Sequence, residues 1–416
     1  MSDPYLTDLV TGIDGLSDDT RFEVTVNEVN LTESLSTPGL QTSLILQSTT
    51  NTPKTVNSNK KADAPTKNLD EYYGKNVSIY AERKILKDMF GDKFKWNFST
   101  NQVIYRLSNR TPINYEVEQF QLDACDPSLL VDAKNYLSRS WSAVTPDTVV
   151  RDIFSSVFPK SNLEVEAVNP RRDYVAEYVH PFQAINQQSE LALAKVNQLD
   201  PSLVHFMTYQ NINHDDIPTH NFRSLTKMAQ ADPVFEFTYN GKIAMRDNFG
   251  NPYDIMTYMF PRDFDLLADL LNAVDFKDGQ SFTQMNMLNP LTNRISTFGP
   301  TDHGLGATPF LETTNLGTED IQSSSPLASE RIKLLRRARM SLIEQDSIGI
   351  RFTVPFSPFL NAGRTLKVRF FNTSDGSLNY GSGKYLIVNL THNIKIGGFG
   401  TTTLDCVADS VSWGQT

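Results

Sequence analysis

The sequence has few of the features that stabilise or anchor exported proteins. Its 416 residues include only two cysteines, Cys125 and Cys406, which excludes a disulfide framework as the main source of stability. We expect both to be small buried side chains in a reducing compartment. No apolar run is long enough to span a membrane, and the first residues lack the basic and apolar regions of a classical signal peptide. The chain is therefore predicted to be soluble, without membrane insertion.

Positive charge is also in the minority. The chain carries 38 Lys and Arg against 48 Asp and Glu, a formal net charge of −10. Proteins that hold nucleic acid tightly cluster basic residues to neutralise phosphate, so this balance argues against such binding. It is compatible with a surface past which DNA slides, because an acidic wall repels phosphate.

The motifs of common enzymes and metal sites are missing as well. The sequence has no Gly-x-Ser-x-Gly elbow, no Gly-x-x-x-x-Gly-Lys-Ser/Thr loop and no Cys-x-x-Cys pair. His214, Asp215, Asp216 and His220 come closest to metal-ligand spacing, but they lie in a polar, irregular stretch that predicts a solvated loop. We therefore expect no catalytic residue, no metal and no cofactor.

Strand patterns dominate both ends of the chain, and helix patterns occupy the middle. Short alternating runs of apolar residues predict strands over 22–26, 42–47, 76–80, 94–98, 103–107, 120–125, 234–239, 348–354 and 366–370. A polar stretch over 49–68 predicts an exposed loop. Proline in a first turn predicts helices that begin near Pro146 and Pro181. Further helices are predicted from Phe222, over 261–271 and over 327–343.

The chain ends in a hairpin pattern over 383–409, with a glycine-rich reversal at 397–400. Alternation in its second arm places Thr401, Thr403, Asp405 and Asp409 on one face. On the pattern alone these are ordinary solvent-facing residues, and the resemblance described below makes them candidates for a channel wall or a subunit interface.

The helix predicted over 327–343 carries Lys333, Arg336 and Arg337 on one side. This basic side is a candidate surface for an acidic partner, and a plain solvated face is the alternative.

Several segments, taken in order and at their spacing, resemble one family. They are 105–114 with 118–122 and 129–134, 138–140 with 145–153, 180–185, 221–225 with 235–237, and 354–356 with 362–363 and 383–388. Together they resemble the baseplate hub proteins of contractile-tailed bacteriophages, over most of the chain between Phe22 and Trp413.

The resemblance implies an α+β, β-rich fold with two small antiparallel β-barrel domains, called tube-like domains, and inserted mixed α/β domains. The expected boundaries are a flexible arm over 1–20, a first tube-like domain over 21–125 and a helix-containing middle domain over 126–230. A second tube-like domain follows over 231–258 and 347–412, with an inserted helical and loop segment over 259–346.

The resemblance also implies a role and a set of partners. Three subunits would form a homotrimeric ring that joins the tail tube to the central spike protein and adapts threefold to sixfold symmetry. Phage DNA would pass through its channel without specific binding. Other implied partners are the tail tube protein or a tube-initiating ring, baseplate wedge proteins and the tape measure protein. The expected location is the tail baseplate of a virion assembled in the cytoplasm of the host bacterium. A cell-wall-degrading tail enzyme and the spike base of a related contractile secretion system are the alternatives.

Overall fold

A computed structural model describes most of the strand-forming regions of the chain. The described residues are 8–13, 24–49, 74–82, 97–114, 117–195, 200–210, 217–239, 254–262, 274–275, 280–281, 285–289, 294–298, 332–333, 336, 340, 348–372, 377–379, 381–395 and 400–408. The predicted loop over 49–68 and the predicted arm over 1–20 lie largely outside them.

Six strands form near the start of the chain, where apolar and polar residues alternate. They are β1 (Asp8–Ile13), β2 (Val24–Ser34), β3 (Gln41–Thr49), β4 (Asn76–Glu82), β5 (Asn97–Pro112) and β6 (Val117–Cys125). In β6 the alternation buries Phe120, Leu122 and Ala124 and leaves Gln119 and Gln121 half-buried. We call these six strands the first strand set.

The middle of the chain combines helices with short strands. The helices are α1 (Pro127–Lys134), α2 (Pro146–Val157), α3 (Pro181–Leu191) and α4 (Leu225–Gln230). The strands are β7 (Leu137–Val144), β8 (Asn162–Val165), β9 (Val168–Asn169), β10 (Arg172–Val179), β11 (Leu193–Ala194), β12 (Leu203–Thr208) and β13 (Thr219–Ser224). The predicted helix starts at Pro146 and Pro181 are confirmed.

Two sequence predictions for the middle of the chain were wrong. The solvated loop predicted around His214, Asp215, Asp216 and His220 is wrong at its last residue, because His220 is fully buried in β13; residues 211–216 lie outside the described residues. The helix predicted from Phe222 begins only at Leu225, where Ser224 Oγ accepts a hydrogen bond from Lys227 N at 3.3 Å and caps α4. The backbone of β13 pairs with β12 as far as Ser224 and with β8 as far as Phe222, and this pairing keeps both His220 and Phe222 in extended structure.

A second group of strands follows the middle region. It comprises β14 (Glu236–Tyr239), β15 (Thr257–Arg262), β16 (Val274–Asp275), β17 (Gln280–Ser281), β18 (Met285–Asn289), β19 (Arg294–Phe298), β20 (Ile348–Pro355), β21 (Thr365–Phe370), β22 (Gly383–Lys395) and β23 (Thr401–Ala408). Pro261 and Arg262 end β15, so the helix predicted from Pro261 was wrong at its start, and residues 263–271 lie outside the described residues. We call β14, β15 and β20–β23 the second strand set.

The two strand sets form one sheet of 12 strands, which confirms the β-rich α+β class. β2 of the first set pairs with β22 of the second, antiparallel, from Glu28 opposite Lys395 to Ser34 opposite Asn389. No ladder among the described strands closes either set into a barrel. In the second set a single bridge between Thr238 and Asp254 brings β14 next to the residues that lead into β15.

Each strand set covers its own apolar core. Leu31, Leu44 and Phe120 lie in the first core, and Phe352, Leu366 and Leu404 lie in the second. Cys125 and Cys406 are free and buried, as predicted, and burial raises the pKa of the Cys125 thiol to about 11. No helix among the described residues is long and apolar enough to cross a membrane.

Candidate functional site

The polar face predicted on the last strand is present as far as the structure describes it. Thr401, Thr403 and Asp405 are half-buried on one side of β23, while Thr402, Leu404 and Cys406 are buried on the other. Asp409 lies outside the described residues. β23 therefore separates a polar surface from the second core.

This surface extends across the joint between the two strand sets. Ladder partners in an antiparallel sheet share a face, so Thr403 lies beside Thr391 of β22, which in turn lies beside Thr32 of β2. The same rule adds residues of β5, β6, β3 and β20. We define the polar face as the polar residues that this rule gives, namely Glu28, Asn30, Thr32, Ser34, Gln41, Ser43, Gln47, Arg106, Ser108, Thr111, Gln119, Gln121, Asp123, Arg351, Thr353, Asn389, Thr391, Asn393, Lys395, Thr401, Thr403 and Asp405.

The side chains of the polar face bond to one another. Asn393 Nδ2 donates to Asn30 Oδ1 at 2.7 Å and also to Glu28 Oε1, across the joint between β22 and β2. The Thr353 and Thr403 hydroxyls are 3.3 Å apart. Donors and acceptors that already satisfy one another have little left with which to hold a passing ligand.

The charges on the polar face form three pairs. Asp123 meets Arg106 at 2.6 Å, Asp405 meets Arg351 at 2.5 Å and Glu28 meets Lys395 at 3.7 Å. The hydrogen bonds and charges of Asp123 and Asp405 raise the pKa of Arg106 and Arg351 respectively. Three carboxylates against three cations give this surface no net charge.

The two strand sets repeat one topology. The strand order is β1-β4-β5-β6-β3-β2 in the first set and β14-β21-β22-β23-β20-β15 in the second, and corresponding strands follow in the same chain order. Only the outermost pair differs, since β1 runs antiparallel to β4 and β14 runs parallel to β21.

The repeat extends to single residues of the polar face. Leu122-Asp123 of β6 corresponds to Leu404-Asp405 of β23. In each hairpin the ladder register shifts at one position, and the aspartate is the first paired residue on one side of that shift. The ladder partners change from Ile104–Ala124 to Arg106–Asp123 in the first set, and from Ile387–Cys406 to Asn389–Asp405 in the second. Each set therefore presents an equivalent Asp paired with an Arg on the same side of the sheet.

The polar face ends at an apolar groove. Val388 is the unpaired residue within the register shift of β22, and Val407 lies beyond the shift. Together with Leu35 and Met340 they line a cavity of about 430 Å³. Arg262, Arg351 and Asp405 form its polar rim.

Solved tail proteins have a similar fold. The tail protein of Neisseria meningitidis MC58 aligns over 98% of this chain and 98% of its own, with a TM-score of 0.54 and 10% identity. The chain has the fold of a tail protein. The 43 kDa tail protein of prophage MuSo2 from Shewanella oneidensis aligns over 96% of this chain and 98% of its own, with a TM-score of 0.52 and 10% identity. The sequence itself matches no family model and no curated protein.

The basic side predicted on the helix over 327–343 is only partly described in this tail-protein fold. Arg336 turns inward, where its guanidinium donates to the carbonyl oxygen of Leu203, and burial lowers its pKa. Lys333 is half-buried, and Arg337 lies outside the described residues. The guanidinium of Arg336 is bonded within the chain, so a partner-facing role stays a prediction for Lys333 and Arg337.

Two buried polar sites, a histidine pair and a single carboxylate, were not predicted from the sequence. His220 joins His205 between β12 and β13, and Glu33 of β2 lies 1% exposed at the junction of three segments. The apolar alternation around Glu33 in Leu31-Thr32-Glu33 was a usable signal, because it places the carboxylate on the buried side of β2. No group of three or more His, Cys, Asp and Glu among the described residues is arranged to hold a metal.

Proposed function

We propose that this chain is a structural tail protein, the baseplate hub, three copies of which form a ring between the tail tube and the central spike. The topological repeat carries the proposal. Two equivalent strand sets in each chain would give a trimer six similar units, which suits a joint between a threefold spike and a sixfold tube. The tail-protein fold supports this proposal.

The pairing of β2 with β22 within one chain suggests how one copy would contact the next. The first half of β22 pairs with β21, and its second half pairs along the same edge with β2. In the first set β4 covers the first half of β5 in the same way, and no described strand pairs with that edge beyond Val103. β15, the counterpart of β2, ends the sheet. We infer that β15 of one copy pairs with the second half of β5 of the next.

Exposed apolar side chains occur at both of these sheet edges. Tyr258 and Met259 of β15 are 42% and 52% exposed, and Tyr105 and Ile113 at β5 are 39% and 51% exposed. Strand edges of soluble proteins are normally blunted or covered, since open edges invite pairing. Covering these side chains with the neighbouring copy removes them from water.

The polar face would line the channel. A wall of amide and hydroxyl groups with internally paired charges offers phosphate no cluster of free cations, so DNA would pass without specific binding. Wedge proteins and the tape measure protein would bind surfaces that lie away from the channel. The basic side at Lys333 would belong to one of these surfaces.

Mass measurement in solution and imaging of the assembled tail test the proposal together. We expect a trimer of 46.8 kDa chains around a central pore. A stable monomer in solution, together with tails that lack a threefold ring of this chain, contradicts the hub. A zymogram against peptidoglycan tests the absence of catalysis, and clear lysis would overturn the purely structural role.

A further inference from the structure

The apolar groove lies at a position where the two strand sets differ in side-chain size. Ile104-Tyr105-Arg106 of β5 corresponds to Ile387-Val388-Asn389 of β22, because each run spans the register shift of its hairpin. Tyr105 and Val388 are the residues that the shift leaves unpaired. One and the same position therefore carries an aromatic ring in the first set and a short apolar side chain in the second.

In the first set the Tyr105 side chain lies close to the sheet. The residue is 39% exposed, and the titratable groups that act on its phenol are Asp123, Arg106 and Cys125. Burial and, after it, the charge of Asp123 raise the pKa of this phenol. A ring with these neighbours covers the polar side of β6 and does not point away from the sheet.

The corresponding place in the second set is the apolar groove itself. Asp405 and Val407 of β23 are the counterparts of Asp123 and Cys125, and both line the groove together with Val388. The place that an aromatic ring takes in the first set is thus part of a cavity of about 430 Å³ in the second.

We propose that the apolar groove is a docking site for a partner protein that inserts a tyrosine side chain beside Val388, in the place that the Tyr105 ring takes in the first set. The ring would pack on Val388 and Val407. Its hydroxyl would donate to the Asp405 carboxylate at the rim, each oxygen of which can accept more than one hydrogen bond. The proposal rests on the repeat of the two strand sets and does not depend on the hub function.

A tyrosine in this groove would have the properties of an interface anchor. Side chains that contribute most of the free energy of binding between proteins are enriched in tyrosine and fill well-packed, desolvated pockets. The groove has an apolar wall for the ring and a polar rim for the hydroxyl, and it continues the polar face that both strand sets share.

Methyl-selective NMR spectroscopy of the full chain tests the groove, with 4-methylphenol, the isolated tyrosine side chain, as the probe. We expect saturable shifts of the Val388 and Val407 methyl groups, since apolar cavities in proteins accept rings of this size. Val388→Tyr places a ring in the groove and should weaken binding of the probe by about tenfold or more. Val175→Tyr is the matched control, because Val175 is 56% exposed on β10, and it should leave binding unchanged.

The repeat supplies a variant that acts in the opposite direction. Tyr105→Val should create an equivalent site in the first set, so this variant should bind a second molecule of the probe. Absence of saturable shifts at Val388 and Val407 in the wild-type chain, a measurement that needs no variant to fold, would overturn the proposal. A folded Val388→Tyr chain that binds the probe as the wild-type chain does would overturn it as well.

Incorporation into assembled tails tests the partner. Val388→Tyr should keep the oligomeric state of the isolated chain and should lower its incorporation into tails by about tenfold, while Val175→Tyr is incorporated normally. Normal incorporation of Val388→Tyr would overturn the partner. Loss of the oligomer would also overturn it, because a second copy of the chain would then occupy the groove. A monomeric wild-type chain that binds the probe as described would contradict the hub function alone.

Discussion

His205 Nε2 lies 3.3 Å from His220 Nδ1 inside the middle region, where both rings are buried among Phe154, Phe158 and Phe182. His220 Nε2 lies 3.1 Å from Ser128 Oγ, which donates to Asp126. Ser128 therefore accepts from His220, which in turn accepts from His205. This order assigns the proton of each ring to Nε2, and both imidazoles are neutral.

Acid should destabilise the middle region through these two rings. Burial lowers the pKa of His220 to about 3 and that of His205 well below its usual range. The unfolded chain binds protons below about pH 6.5 that the folded chain excludes, so stability is present above that pH and is lost below it. Each histidine should cost about 1.4 kcal/mol per pH unit, which denaturant unfolding between about pH 7 and about pH 5 would measure.

Glu33 should act in the opposite direction over part of this range. Because burial raises its pKa to about 7 from 4.5, its stabilising contribution increases as pH falls between those values. His220→Gln should therefore reduce the loss of folding stability as pH falls, and Glu33→Gln should increase that loss. If His220→Gln loses as much stability in acid as the wild-type chain does, the loss is not caused by the histidine pair.

The two sides of β20 should respond very differently to truncation. Phe352 is fully buried in the second core, while its neighbour Thr353 lies on the polar face. Phe352→Ala should lower the free energy of unfolding by about 3–5 kcal/mol, because it leaves a cavity. The control Thr353→Ala should cost about 1 kcal/mol or less, since it removes one hydroxyl contact. Equal costs in denaturant unfolding would mean that the two faces of β20 are assigned incorrectly.

Periodicity in the sequence was enough to predict most strands of the two strand sets, though not β1 or β15, and one edge of the site. Alternation over 401–408 identified the buried and polar sides of β23, because one face of a sheet must pack on a core. Proline at a first helical turn identified α2 and α3, since its fixed φ and missing N–H suit that position. These signals depend only on residues that are close in sequence, so they can be recognised without knowledge of the tertiary contacts.

The rest depended on contacts between distant residues. Glu33 meets Ala362 329 positions later in the chain, and no local pattern specifies that encounter. The buried histidines resemble loop residues in sequence, because their partners belong to other elements. The polar face could be completed only once β2 was seen to pair with β22.

The inferred contact between copies has a residue-level consequence. Asn30 faces Asn393 in the internal joint, and their counterparts by ladder position are Met259 of β15 and Thr111 of β5. A chain carrying Met259→Cys and Thr111→Cys should form covalent trimers under mild oxidation, because the pair would meet across each contact. Non-reducing electrophoresis measures this outcome.

The control for the crosslink is Met259→Cys combined with Val175→Cys. Val175 is 56% exposed on β10, a strand outside the large sheet. This pair should give no covalent trimer. Trimers from the control pair, or none from the Thr111 pair in a preparation shown to be trimeric, would reject the pairing of β15 with β5.

The polar face, which we propose as the channel wall, carries no net charge and should therefore be sensitive to added lysine. Thr403 lies on the polar face beside Thr391 and Thr353, and replacing it adds a cation without breaking any of the three ion pairs. Thr403→Lys would place one free cation per chain against passing phosphate, so DNA release from assembled tails should slow by about tenfold at low salt and recover as salt rises. Val175→Lys adds the same charge away from the polar face and should leave release unchanged. Equal slowing by both variants, or none by Thr403→Lys in intact tails, would mean that the polar face does not line the channel.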